Sequence, residues 1–304
     1  MSLTRHVARL AVVAGVLVTA APAAASAPAP GVPLTADPSA SGPVVFARGG
    51  DMHVAGPDGG SRRLTAGGEE DAFPAWSPDR SRVAFVRNGS LHVIRADGTG
   101  LRRLTTRTGD RYPAWAPGGR RIAFASTRAG GESELYVVRQ DGARLRRLTR
   151  TARHVDDTQP AWRPDGRALV FASNRLGYWN YELFRIRASD GGGLRRLTFW
   201  GTGADGALGD DLMPDVSPDG SRIAFVSDRD GGYGVWTMAP DGSDLRMAFR
   251  HAPDTHAFPR FSADGTRLVV ELFSPDAGDH RIVTVPAAGD GTLVRLTAGR
   301  MPDW

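Results

Sequence analysis

The 304-residue sequence contains no cysteine and no lysine. Without cysteine there are no disulfides, no thiolate nucleophile, no iron–sulfur cluster and no thiolate zinc site, so any metal would have to be held by histidines and carboxylates. Without lysine, Schiff-base chemistry is excluded, and every basic side chain is an arginine. Catalytic signatures are also missing: the chain has no Gly-x-Ser-x-Gly elbow, no His-Glu-x-x-His pair and no phosphate loop. Long apolar runs are scarce. The one near the N-terminus, Leu10 to Ala20, is too short for a hydrocarbon core that needs roughly 20 residues.

That run reads as the centre of a secretory signal. Arg5 and Arg9 precede it, and the small residues from Ala21 to Ala27 follow, with cleavage expected after Ala25 or Ala27. Residues 1–27 are therefore assigned to a signal peptide and 28–43 to a Pro/Ala/Ser linker whose composition cannot build a core. The expected location is secreted or extracytoplasmic, with no membrane span after cleavage. The formal charge of +5 is spread along the chain and gives no reason to expect nucleic acid as a partner.

What is abundant is punctuation: 38 glycines and 21 prolines, too many for a helical bundle and suited to short strands joined by tight turns. From Val44 the chain repeats. Pro74-Ala75-Trp76-Ser77-Pro78-Asp79 returns as Pro113-Ala114-Trp115, Pro160-Ala161-Trp162, Pro214-Asp215-Val216 and Pro259-Arg260-Phe261, and ends as Pro302-Asp303-Trp304. The prolines are 39, 47, 54, 45 and 43 residues apart, the period of a four-stranded propeller blade. Each complete anchor leads into an arginine and an apolar strand such as Arg121 to Ala125, then a third strand. An Asp-Gly turn follows, as at Asp97-Gly98, and the fourth strand usually ends in Leu-Thr, as at Leu104-Thr105. Residues 44–65 lack an anchor strand while the C-terminus supplies a spare one. The sequence therefore predicts an all-β, six-bladed β-propeller of four-stranded antiparallel blades, closed by pairing of Pro302 to Trp304 with the N-terminal strands.

These motifs (Pro-x-Trp-Ser-Pro-Asp, Arg-Ile-Ala-Phe, Ser-x-Arg, Asp-Gly, Leu-Thr) resemble the repeats of TolB-type propellers over 44–304. The resemblance implies the six-bladed fold and two kinds of function: capture of envelope partners, or, in the oligogalacturonate lyases of this kind, chemistry at a metal held by histidines.

Candidate site residues follow from the repeat. Three positions before the anchor prolines stand Asp71, Asp110, Asp157, Asp211 and His256, which the symmetry brings to one mouth of the channel, here called the entrance. Four carboxylates there are expected either to hold a ligand or a hard cation such as calcium, or to pair with the arginines of the Ser-x-Arg hairpins, Arg128, Arg175 and Arg229. One position after the prolines, Ala75, Ala114 and Ala161 are small, whereas Asp215, Arg260 and Asp303 are charged and expected to pair across the axis. Tyr178, Trp179 and Trp200 are candidate ligand-stacking aromatics, and Trp76, Trp115, Trp162, Phe261 and Trp304 are wedges between blades. His154 with Asp156 and Asp157, and His251 with Asp254 and His256, are local clusters suited to metal-assisted acid–base work; an enzymatic reading would make His154 and His256 catalytic. The leading expectation is a monomeric, non-enzymatic binder of a protein, peptide or envelope glycan. The alternative is a metal-dependent polysaccharide lyase or hydrolase.

Overall fold

The computed structural model describes residues 42–56, 60–177, 180–199, 209–289 and 293–304. The assigned signal, nearly all of the linker, and the Asp58-Gly59 and Asp290-Gly291 turns lie outside them. The described residues form six four-stranded antiparallel sheets, with no helix among them. Blade 2 illustrates the pattern: Asp71–Trp76 pairs with Arg82–Arg87, which pairs with Ser90–Arg95, which pairs with Arg102–Arg103. The innermost strands of blades 3 to 6 are Asp110–Trp115, Asp157–Trp162, Asp211–Val216 and Thr255–Phe261.

Blade 1 is built from both ends of the chain. Its innermost strand, Arg300–Asp303, pairs with Val44–Arg48, joining Val45 to Asp303 and Ala47 to Arg300. Closure thus occurs as the repeat predicts, with a strand that starts two residues earlier and stops one residue short of Trp304. That indole is buried, and its Nε1–H donates to the Gly42 carbonyl at 3.2 Å.

The anchor aromatics wedge between blades. Trp115 Nε1–H donates to the Ala75 carbonyl of the preceding blade at 3.0 Å, and Trp162 Nε1–H to that of Ala114 at the same distance. One seam packs Val45, Met52, Trp76, Val83 and Phe85 into a single apolar cluster. On the outer side of four seams the Asp-Gly turn approaches the Leu of the previous blade's Leu-Thr, as Gly98, Gly142, Gly191 and Gly242 do. Gly242 has φ +96°, and a Cβ there would stand 2.1 Å from the Leu197 carbonyl oxygen, so only glycine fits.

Every innermost strand is also bulged. The register slips between Ala72 and Ala75 in blade 2 and at the matching place in the others, because the anchor proline has no N–H to give to a ladder. The residue before each proline takes the left-handed conformation: Phe73, Tyr112, Gln159, Met213, Phe258 and Met301 all have φ between 52° and 54°. None is glycine, so each costs about 1 kcal/mol or more, a strain repeated six times around the axis.

Removing the closing strand should be severe. Trp304→Ala leaves a cavity worth about 3–5 kcal/mol, or on the order of 10 °C in melting temperature for a domain of this size. Deletion of Met301 to Trp304 should do more and expose the strand edge at Val44–Arg48, giving aggregation on heating. A thermal melt unchanged by the deletion would refute closure as the fastening.

Candidate functional site

At the entrance, Asp71, Asp110, Asp157 and Asp211 begin the innermost strands of blades 2 to 5. All four are buried, and each is ion-paired within its own blade. Arg87 grips Asp71 with Nε at 2.6 Å and Nη2 at 2.7 Å; Arg128 reaches Asp110 at 2.5 Å, Arg175 reaches both Asp157 oxygens at 2.7 and 2.8 Å, and Arg229 reaches Asp211 at 2.6 Å. Each guanidinium also lies over the buried phenylalanine of the second strand, 5.5 Å from Phe85, 4.9 Å from Phe124, 5.4 Å from Phe171 and 5.3 Å from Phe225. The Ser-x-Arg serine helps: Ser126 Oγ accepts from Arg128 Nε at 3.0 Å and donates to Asp110 at 2.6 Å.

The Leu-Thr motif completes this arrangement across the seam. Thr65 Oγ1 accepts the Met52 N–H at 2.9 Å and donates to Asp71 Oδ2 at 2.5 Å, and Thr105 does the same for Leu91 and Asp110. In blade 3 the Thr149 hydroxyl turns instead to Glu134, which Arg147 also holds, at 2.6 Å. Asp71 and Asp110 therefore stitch their blades to the preceding ones, whereas Glu134 is held within its own blade. Among the described residues no group of three or more His, Asp or Glu side chains is arranged to hold a metal ion.

Blade 6 departs from the pattern. His256 takes the aspartate's place, fully buried, with Nε2 accepting the His251 N–H at 2.9 Å and its ring edge-on to Phe249 at 5.3 Å. Burial, then the nearby His251, lowers its pKa to about 4. His154 is an exposed side chain 3.7 Å from Glu132, on the approach to blade 4, so a whole blade separates the two histidines. His251 Nδ1 lies 3.1 Å from Asp254, which Arg281 also holds at 2.9 Å. Sequence reading overlooked Glu271, which hides in the apolar run of a strand. It bonds His280 Nδ1 at 2.6 Å and accepts the Met301 N–H at 2.6 Å, tying blade 6 to the closing strand. Tyr178, Trp179 and Trp200 lie outside the described residues. Next to them, the Tyr181 hydroxyl donates to Asp156 at 2.9 Å, and Arg196 lies over exposed Phe199 at 4.6 Å.

Along the axis the six left-handed residues converge. Phe73 lies tilted against Tyr112 with ring centroids 4.4 Å apart, and Phe258 lies 6.3 Å from Phe73 and 6.4 Å from Tyr112. Tyr112 and Phe258 belong to blades on opposite sides of the ring, so their contact means that side chains fill the channel at this level. The Phe73 N–H points to Met301 Sδ at 3.4 Å, and the Phe258 N–H to Met213 Sδ at 3.3 Å. All six side chains are buried.

Beyond this plug the strands run on through their prolines to the other mouth. There a pocket of about 460 Å³ is lined by the residues after the prolines and by the turns that follow them. Ala75, Ala114 and Ala161 form one half of its wall; Asp215, Arg260 and Asp303 form the other. Asp303 Oδ2 accepts the Trp76 N–H at 2.7 Å, and Asp215 Oδ2 accepts that of Phe261 at 2.8 Å. Arg260 Nε is 3.3 Å from Asp303 Oδ1. Burial pushes the Asp215 carboxyl up to about 6 against the pull of Arg260, and pushes Asp303 up as well. Pro78, Pro117, Pro164 and Pro218 add apolar surface.

The family described as the TolB β-propeller domain matches residues 52–207. The chain belongs to that family. Among solved structures it is similar to a TolB described as putative from Agrobacterium tumefaciens (22% identity, 86% of this chain and 91% of that one, TM-score 0.69). It is similar also to a puromycin-hydrolyzing peptidase from Mycobacterium tuberculosis (21%, 84% of this chain but 42% of that one, 0.58). A third is an oligogalacturonate lyase from Vibrio parahaemolyticus (14%, 85% and 74%, 0.53). No curated protein matches this TolB-type chain.

Two outcomes test the site's electrostatics. Arg128→Met leaves Asp110 buried without its counter-charge and should cost about 3–5 kcal/mol in denaturant unfolding. His256 binds its proton less readily folded than unfolded, so its contribution is complete above about pH 6.5 and is lost as pH falls toward 4, a loss of about 3 kcal/mol. In His256→Asn the stability should fall less steeply over that window; parallel pH profiles for the two proteins would count against a buried neutral imidazole.

Proposed function

We propose that this chain is an exported, non-enzymatic propeller that captures a protein or peptide partner in the pocket at the mouth opposite the aspartate entrance. The observation that carries the reading is where unspent chemistry lies. Asp71, Asp110, Asp157 and Asp211 are each held by an arginine of their own blade. The far mouth combines a concave apolar half with a charged half, the mixture that specific binding sites use. Export is supported by the signal pattern at residues 1–27. A calcium role for the four aspartates would require their arginines to let go, so the binding reading is placed on Asp215, Arg260 and Asp303.

The lyase reading draws on the oligogalacturonate lyase likeness and on His154 and His256. It asks two histidines, one on each side of an intervening blade and one of them fully buried, to share a metal.

Ala263 is an exposed residue on the pocket lining, standing where other blades carry the second proline. Ala263→Trp should fill the mouth with little effect on stability. Capture of a partner from the native envelope should then fall at least tenfold, with the melt unchanged. Undiminished capture by the variant would place the site elsewhere, and turnover of polygalacturonate with added manganese would favour the enzyme.

A further inference from the structure

Two features of the pocket point to what it holds. The first is a carboxylate with spare capacity. Asp303 is engaged by Arg260, and the entrance aspartates all have their own arginines. Asp215 spends Oδ2 on the Phe261 N–H and has no cationic side chain within ion-pairing distance among the described residues. The second is an orphan donor. The indoles of Trp115, Trp162 and Trp304 each find a carbonyl, but Trp76, which lines the same pocket and is 7% exposed, has no acceptor for its Nε1–H among the described residues. A buried donor without a partner is costly, and an acceptor supplied by a ligand relieves that cost.

Resting on the pocket reading above, we propose that the mouth takes the free amino terminus of an extended, proline-containing peptide, its ammonium on Asp215 and a backbone carbonyl accepting from Trp76. One open carboxylate beside a guanidinium cannot satisfy a hard metal ion, which needs six or more oxygens, but it suits an ammonium. A peptide end brings the ammonium and carbonyl oxygens together. Its proline and alanine side chains match the alanine half-wall and the proline rim. Asp215 and Trp76 stand on opposite blades, so the peptide lies across the mouth rather than down the axis, where the plug of Phe73, Tyr112 and Phe258 blocks it.

The probes are the amidated tripeptide Ala-Pro-Ala with a free amino group, its N-acetylated form, and an N-acetylated Ala-Pro-Lys, titrated into the whole protein by NMR. The free peptide should bind at least tenfold more tightly than either acetylated one. Asp215→Asn should remove that difference, and Trp76→Phe, which keeps the ring and loses the N–H, should weaken the free peptide severalfold. Around Asp215 the charged groups are Arg260 and Asp303, and affinity should fall as pH drops through about 6, a dependence absent from Asp215→Asn. Acetylated Ala-Pro-Ala binding as well as the free peptide overturns the inference, as does lysine-dependent binding of the acetylated peptide, or no binding of any probe. If Ala263→Trp still blocks partner capture in those cases, the pocket reading survives without this one.

Discussion

Everything in this propeller depends on bringing six strands close to one axis and giving them something other than each other to pair with. An innermost strand pairs on one side only, so its inner edge must be dealt with blade by blade. The anchor proline does this: it offers no N–H, and its bulge turns the preceding side chain onto the axis. The strain of six left-handed residues is offset by burying Phe73, Tyr112, Gln159, Met213, Phe258 and Met301 against one another. A glycine would accept the φ at no cost but leave the channel empty. The same bulge sets the next residue on the far side of the plug, so one device both closes the channel and shapes the pocket beneath it.

The fold was legible because its requirements recur. Proline at the bulge recurs in every blade, and tryptophan at the seam, glycine against a neighbour's carbonyl and threonine under an aspartate each recur at a fixed place in several. The closing strand was readable for the same reason: a spare Pro302-Asp303-Trp304 at one end matched a missing strand at the other. The candidate site was much less legible. Spacing correctly puts Asp71, Asp110, Asp157 and Asp211 at matching places, but spacing does not say which way their oxygens are spent. Arg87 shows the difficulty, since it serves Asp71 from two positions earlier than the Ser-x-Arg arginines serve theirs, standing opposite the aspartate where other blades place the serine. The plug was equally hidden. Nothing in Phe, Tyr, Gln, Met, Phe, Met reads as a motif, because the position is defined by a backbone angle and by depth, not by side-chain chemistry.

Departures from the repeat are where the residues do something other than hold the ring. At the position after the proline, three blades keep alanine and three do not, and those three are consecutive. Alanine suffices for packing, so Asp215, Arg260 and Asp303 are charges retained beyond what the fold needs, held close to the axis at a desolvation cost that shows in the raised carboxyl pKa values. Part of that cost is recovered structurally, because each carboxylate accepts the backbone N–H of the next blade. Blade 6 departs at the other mouth, where His256 replaces the aspartate and Glu271 takes over the stitching to the closing strand. That substitution has a structural outlet: Glu271 ties blade 6 to Arg300–Asp303, the strand whose pairing with Val44–Arg48 joins the two ends of the chain. The charged arc has no comparable outlet. Asp303 and Arg260 compensate each other, but Asp215 lines the pocket with no cation in ion-pairing distance among the described residues, and a carboxylate beside an apolar wall is stabilised by an arriving cation.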